Sequence, residues 1–168
     1  MVTISLATSD DELQAVRALF AATFSDIAPD AVPYTAEGHS TYDVMVVQAL
    51  DADGILQGAA LTNRAQIAVQ SMMMGDPFGY SSVVDKHREL DLLAVRPDAR
   101  GSGIGAELLK FVEDRLSTAG IDVLFGNATS DLDIVKLRLF YERHGYTVHP
   151  TGDPLPALLG KPWTHPMA

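Results

Sequence analysis

The stretch LLAVRPDARGSGIGAELL, residues 92–109, constrains the fold more than any other part of the chain. An apolar run ends in Arg96-Pro97, and an arginine, Arg100, then precedes glycines at 101, 103 and 105. An amphipathic segment follows at once, with Leu108, Leu109, Val112 and Leu116 on one face and Gly120 as its stop. Glycine costs helix stability, so three of them at a helix entrance imply a backbone that must go where side chains cannot. The local unit is therefore strand, glycine loop, helix.

The rest of the chain fits around that unit. VTISLATSD reads as a short strand entering a turn, and Ser9 with Glu12 has the spacing of a capping box. Leu13, Val16, Leu19, Phe20 and Phe24 follow at helical spacing. APDAVPYTAEGHST reads as loop or a short, broken helix. DVMVVQAL and ILQGAALTNRA flank the Asp-Gly pair of DADG, which predicts a hairpin. Residues 65–86 have no clean period and are open to three readings: an extension of the hairpin, a turn of helix, or a loop over a site. RELDLLAV and IDVLFGNA read as further strands. SDLDIVKLRLFYERHG reads as a second amphipathic helix, with Ser130 or Asp131 near its start and Gly145 at its end. YTVHP is a last clear strand, and the Pro-rich tail has room for one more. With no repeat and no linker, the expectation is a single α/β domain over residues 1–168.

Composition narrows the class. An apolar fraction of 47% is enough to build a core. No apolar run approaches a membrane span, and no basic-then-apolar segment opens the chain, so no membrane partner and a cytoplasmic location are expected. Cysteine is absent, which excludes disulfides, thiolate metal sites and a cysteine nucleophile. The five histidines show no metal-binding spacing, so no metal is expected. The formal net charge of −10 repels phosphate backbones, which argues against nucleic acid and weakly favours cationic ligands such as amines.

A strand that turns into a helix leaves the first helical N–H groups without partners, and with the helix dipole they form an anion site. Glycines let the backbone approach that anion, and Arg100 adds a forked cation. The combination fits a phosphate or pyrophosphate. A dinucleotide fold would place Gly-x-Gly-x-x-Gly directly behind the first strand, and a Walker loop needs Gly-Lys-Ser/Thr; the chain has neither.

At this level the sequence resembles the GCN5-related N-acetyltransferase (GNAT) superfamily. Arg100, Gly103 and Gly105 fill the family signature Gln/Arg-x-x-Gly-x-Gly/Ala, and LRLFYERHGY is similar to the family's aromatic-rich helix leading into its sixth strand. The resemblance implies a GNAT-like (acyl-CoA N-acyltransferase) fold, α/β, with a mixed central sheet of about six to seven strands flanked by helices and splayed between strands four and five. It implies that Arg100, Gly101, Ser102, Gly103, Ile104 and Gly105 bind the pyrophosphate of acetyl-CoA or another acyl-CoA. It further implies that the strand at Leu93, Ala94 and Val95 pairs with the pantetheine arm, with a main-chain N–H near Leu93 facing the thioester oxygen. Tyr141 falls where the family places a tyrosine acting as general acid on the departing thiolate. The asparagine common seven residues earlier is Ile134 here, and Asn127 or Ser130 is the substitute that the resemblance leaves for it.

Glu89 and Asp91 are two apart on one strand and so share a face, as a base acting directly or through water would require. Ordinary pairing with Lys86 or Arg88 is the alternative. Met72 to Met74 read either as an adaptable apolar pocket or as filler under a loop, and His144 as a helix C-cap. Trp163 and the tail fall where the family builds either the acceptor pocket or a homodimer contact. The expected activity is transfer of an acetyl or other acyl group to a primary amine in a ternary complex, with a small-molecule acceptor favoured. The alternatives are a protein lysine or N-terminal acetyltransferase, a non-catalytic acyl-CoA-binding module, and an acyltransferase fed by a carrier protein.

Overall fold

The computed structural model describes residues 1–27, 30–35, 42–77, 79–128, 133–149 and 157–162, with only the backbone of 82, 83, 127, 128, 149 and 157–162. These residues form seven strands and five α-helices, in two compact units that alternate along the chain.

The first unit contains residues 1–63 and 91–115. Its elements are β1 (Thr3–Leu6), α1 (Asp10–Thr23), β2 (Met45–Leu50), β3 (Leu56–Asn63), the second half of β4 (His87–Val95) and most of α4 (Ile104–Thr118). Strand order here is β1-β2-β3-β4, with β1-β2 and β2-β3 antiparallel. The predicted hairpin is present. Asp51 closes it by accepting from the N–H groups of Asp53 at 3.0 Å and Ile55 at 2.9 Å through its carboxylate. The predicted faces of both helices are also the buried ones: Leu13, Val16 and Phe20 on α1, and Leu108, Leu109 and Val112 on α4. Gly58 on β3 permits the close approach of α4, since a Cβ there would meet Ala94 O at 3.0 Å and the side chains of Ile104 and Leu108 at 3.1 Å.

The capping box of α1 forms as its sequence predicts. The Glu12 N–H donates to Ser9 Oγ at 3.3 Å, and Glu12 Oε2 accepts from the backbone of Ser9 at 2.9 Å and Thr8 at 2.8 Å. Those bonds, Ser9 first, hold the Glu12 carboxyl down at about 2. A lowered pKa in the folded state means stability that is present above the ordinary glutamate range and lost as pH falls towards 2. Ser9→Ala removes the N-cap acceptor and is expected to cost about 1 kcal/mol, read as a lower urea midpoint with an unchanged slope.

The second unit contains residues 64–90 and 116–168. Its elements are α2 (Gln66–Met73), α3 (Ser81–Val84), the first half of β4, β5 (Val123–Ala128), α5 (Ile134–Arg143), β6 (Thr147–His149) and β7 (Ala157–Pro162). Strand order is β4-β5-β7-β6. The parallel β4-β5 ladder pairs His87 with Val123, Arg88 with Leu124 and Glu89 with Phe125, which makes the sheet mixed. The tail supplies the extra strand, and β7 pairs antiparallel with both β5 and β6. Gly120 ends α4 with a bond from Ile121 N to Leu116 O at 3.0 Å, and Gly145 ends α5 with one from Tyr146 N to Tyr141 O at 3.1 Å.

Residues 65–86 resolve in favour of helix. Alternation fails there because α2 and α3 are short and are joined by a turn built on Asp76. Its carboxylate accepts from Ser71 Oγ at 3.1 Å, Tyr80 N at 2.6 Å and Ser81 Oγ at 2.5 Å. Among the described residues, no helix is long and apolar enough to cross a membrane.

Candidate active site

The candidate residues fall into two groups, one in each unit. In the first unit, β4 carries Leu93, Ala94 and Val95 into a 3-10 turn at Pro97–Ala99, then the glycine loop, then α4. Gly101 has φ +80 and Gly103 φ +90, in the left-handed region that a side chain makes costly, and a Cβ built on either meets nothing within 4 Å. Backbone conformation, not crowding inside the protein, is what requires glycine there. The open space lies beside main-chain N–H groups at the N-terminus of a 15-residue helix. Gly103 O accepts from Ala106 N at 3.0 Å and Glu107 N at 3.1 Å, so Ile104 and Gly105 occupy the first helical positions, whose N–H groups have no carbonyl behind them. Ser102 Oγ donates to Ala99 O at 2.5 Å and braces the loop from within.

Arg100 is more than a free cation at the loop entrance. Its Nε donates to Val95 O at 3.1 Å, pinning the loop to the last residue of β4, while the side chain stays exposed. Asp91, on the same strand, is exposed on one side. The protein packed around its other side raises its carboxyl above the ordinary aspartate value, opposed by a bond from Asn63 Nδ2 at 3.4 Å. A carboxyl raised on folding costs stability as pH rises above its unfolded pKa, and in full above the folded one. Asp91→Asn is therefore expected to raise Tm at pH 7 by up to about 2 °C, the scale of a surface change. The gain should shrink as pH falls and Asp91 itself takes up a proton, which a series of thermal melts from pH 4 to 8 checks.

In the second unit, Glu89 is half-buried on β4, while Arg88 and Leu90 point to the opposite, buried side. The two cations weighed as partners for the carboxylates also bond to main chain: Arg88 Nη1 donates to Val84 O at 3.2 Å and His87 O at 2.8 Å, and Lys86 Nζ to Gly120 O at 3.2 Å.

Tyr141 lies in the last turn of α5 and is 6% exposed, held edge-on between Phe140 at 5.0 Å and Tyr146 at 5.6 Å. Burial pushes its phenol well above the ordinary tyrosine value, and its hydroxyl has no hydrogen-bond partner among the described residues. The phenol therefore stays protonated through the neutral range and has a proton to give. His144 caps the helix as the sequence suggests, its Nδ1 lying 2.7 Å from Phe140 O. The helix starts later than the stretch from Ser130 suggests. Asp133 is the N-cap, with Oδ1 accepting from Lys136 N at 3.2 Å, and Ile134 follows as the first helical residue. Ser130 and Asp131, named for that start, lie outside the described residues, as does Trp163. Asn127 sits on β5 in register with Leu158, and its side chain is outside the described set. Met72, Met73 and Met74 are exposed, so they are not filler under a loop. No group of three or more metal-ligating side chains forms among the described residues.

A mixed sheet whose fourth strand turns through a glycine loop into a helix, with its last strand inserted beside the fifth, is the architecture of an acyl-CoA N-acyltransferase. The chain belongs to the GNAT acetyltransferase family: residues 28–154 match the family model described as an acetyltransferase (GNAT) domain. Solved structures agree on the fold. A GNAT-family acetyltransferase from Staphylococcus aureus superposes with TM-score 0.69 at 12% identity, covering 96% of this chain and 99% of that one. The ribosomal-protein-S18-alanine N-acetyltransferase of Escherichia coli gives 0.64 at 18%, covering 96% and 94%. PaiA N-acetyltransferase from Thermoplasma acidophilum, in complex with coenzyme A, gives 0.64 at 18%, covering 97% and 99%. No curated protein sequence matches.

Proposed function

We propose that this protein is an acetyl-CoA-dependent N-acetyltransferase that acylates a small primary amine by direct transfer. The observation that carries the reading is the loop itself: two left-handed glycines, 101 and 103, open onto the N-terminus of α4 and leave room for a phosphate where any other residue would place a side chain. A pyrophosphate there accepts from main-chain N–H groups, and the acyl-pantetheine arm extends along Leu93, Ala94 and Val95.

The amine nitrogen attacks the thioester carbonyl carbon, so a C–N bond forms as the C–S bond breaks. An acceptor bound as its ammonium first gives one proton to Glu89 or Asp91, directly or through a water, which frees the lone pair for attack, and the nitrogen sheds a second proton to solvent as the amide forms. The sulfur leaves as a thiolate hydrogen-bonded by the Tyr141 hydroxyl, which supplies its proton and recovers one from solvent. A phenol raised by burial is a weaker acid than a thiol of ordinary pKa, about 8.5, so its largest contribution is a hydrogen bond that strengthens as negative charge collects on sulfur. The surplus of acidic residues favours a cationic acceptor over a carrier-protein donor. A cytoplasmic setting goes with this reading. Calorimetric titration with acetyl-CoA, followed by thiol release in the presence of amines, tests it. Binding without thiol release over a broad amine panel would replace it with a non-catalytic acyl-CoA module.

A further inference from the structure

The segment between β3 and β4, which carries α2 and α3, helps to build a cleft that the coenzyme reading does not use. Ala65, Ile67 and Ala68 of the α2 segment, Tyr80 and Val84 of the α3 segment, and His87 and Phe125 of the sheet line a cavity of about 190 Å3. That volume is on the scale of a benzene ring with a short tail. Its walls are apolar apart from the imidazole of His87 and the phenol of Tyr80. Phe125 is only half-buried although it stands mid-strand on β5, and Ile67 is 61% exposed. Each leaves apolar surface facing open space.

Register ties this cleft to the candidate base. Strand side chains alternate, so His87 and Glu89 share one face of β4, and Glu89 pairs in parallel register with Phe125. A group seated between His87 and Phe125 therefore has the Glu89 carboxylate one step along the same face. Apolar walls, with Glu89 beside Phe125 in the strand register, fit a molecule that is apolar at one end and cationic at the other. The wall is also preformed, because the turn between α2 and α3 is held by the Asp76 carboxylate, with Asp76 itself at φ +58.

We infer that this cleft selects the acyl acceptor, and that the acceptor is a small primary amine bearing an aryl or branched-alkyl group, whose apolar end sits against Phe125, Tyr80 and Ala68 with its ammonium near Glu89. The inference rests on the acyl-transfer reading for its outcome but not for its binding step, so the two can fail separately.

The test compares 2-phenylethylamine with ethylamine, which has the same nucleophile and no apolar end, and with putrescine, which is polar at both ends. Burial of the ring predicts a kcat/KM for 2-phenylethylamine about 10- to 100-fold above that for ethylamine, with putrescine no better than ethylamine. Two variants challenge the cleft. Ala68→Leu fills it, and Ile67→Arg places a charge at its mouth from an exposed position. Both should bring the ratio of the two kcat/KM values towards one. Calorimetry with 2-phenylethylamine on the wild type and on Ile67→Arg reads binding without turnover, and the variant should bind more than about 10-fold more weakly. Equal kcat/KM for the three amines, or wild-type binding and an unchanged ratio in Ile67→Arg, overturns the cleft assignment while leaving acyl transfer standing. Cleft-dependent binding without thiol release supports the cleft and removes acyl transfer instead.

Discussion

Gly103→Glu is expected to abolish acetyl-CoA binding, with affinity falling by at least about 100-fold. Two charge-assisted hydrogen bonds from main-chain N–H groups to a phosphate contribute about 3 kcal/mol or more together, and a carboxylate placed among them forfeits both and adds repulsion. The substitution also imposes strain, since residue 103 sits at φ +90. A control separates the two effects. Gly54, in the β2-β3 hairpin, has φ +76 and equally open space around a built Cβ. Gly54→Ala and Gly103→Ala should lose stability by similar amounts, on the order of 1 kcal/mol, and only the change at 103 should weaken acetyl-CoA. Undiminished calorimetric affinity in a folded Gly103→Glu protein would remove the phosphate assignment altogether.

Tyr141→Phe is expected to lower kcat by on the order of 100-fold, the usual size of a general-acid effect, with acetyl-CoA affinity unchanged. The substitution is unusually clean here. The ring packs edge-on against Phe140 and Tyr146, contacts that phenylalanine keeps, and the hydroxyl bonds to none of the described residues. Removing it leaves those ring contacts in place, and Tm should hold within about 2 °C. A fall in kcat at constant Tm and constant affinity isolates chemistry. A wild-type kcat would reduce Tyr141 to a packing residue.

The contrast between these residues and the cleft shows what the sequence made legible. Strong local rules carried through: Ser9 with Glu12 made a capping box, Asp-Gly made a hairpin, and the Leu108–Val112 face went into the core. Each depends on neighbours within four residues or on a single period. The glycine loop was legible for the same reason, since left-handed backbone is a local demand. The clasp that Arg100 forms was not legible, because a bond to Val95 O depends on the turn geometry between them. The start of α5 slipped to Asp133 because Ser130, Asp131 and Asp133 are all competent N-caps, and only the fold selects among them.

The cleft was illegible for a different reason. Its lining comes from α2, α3, β4 and β5, and Ala65, Ala68 and Val84 carry no chemical signature in a sequence. Residues 65–86 lacked a period because two short helices are joined by a turn that a single carboxylate, Asp76, organises from Ser71, Tyr80 and Ser81. Even so, a glycine and an aspartate at 75–76 between two apolar stretches marked where the chain turns.

The most direct test of the account mixes the protein with acetyl-CoA and 2-phenylethylamine and follows released thiol and N-acetylated amine together. Acyl transfer predicts the two in equal amounts, both above the protein-free blank and both depressed about 100-fold in Tyr141→Phe. Tight acetyl-CoA binding with neither product, across aryl, alkyl and polar amines alike, would contradict it and leave a protein that holds the acyl donor without using it.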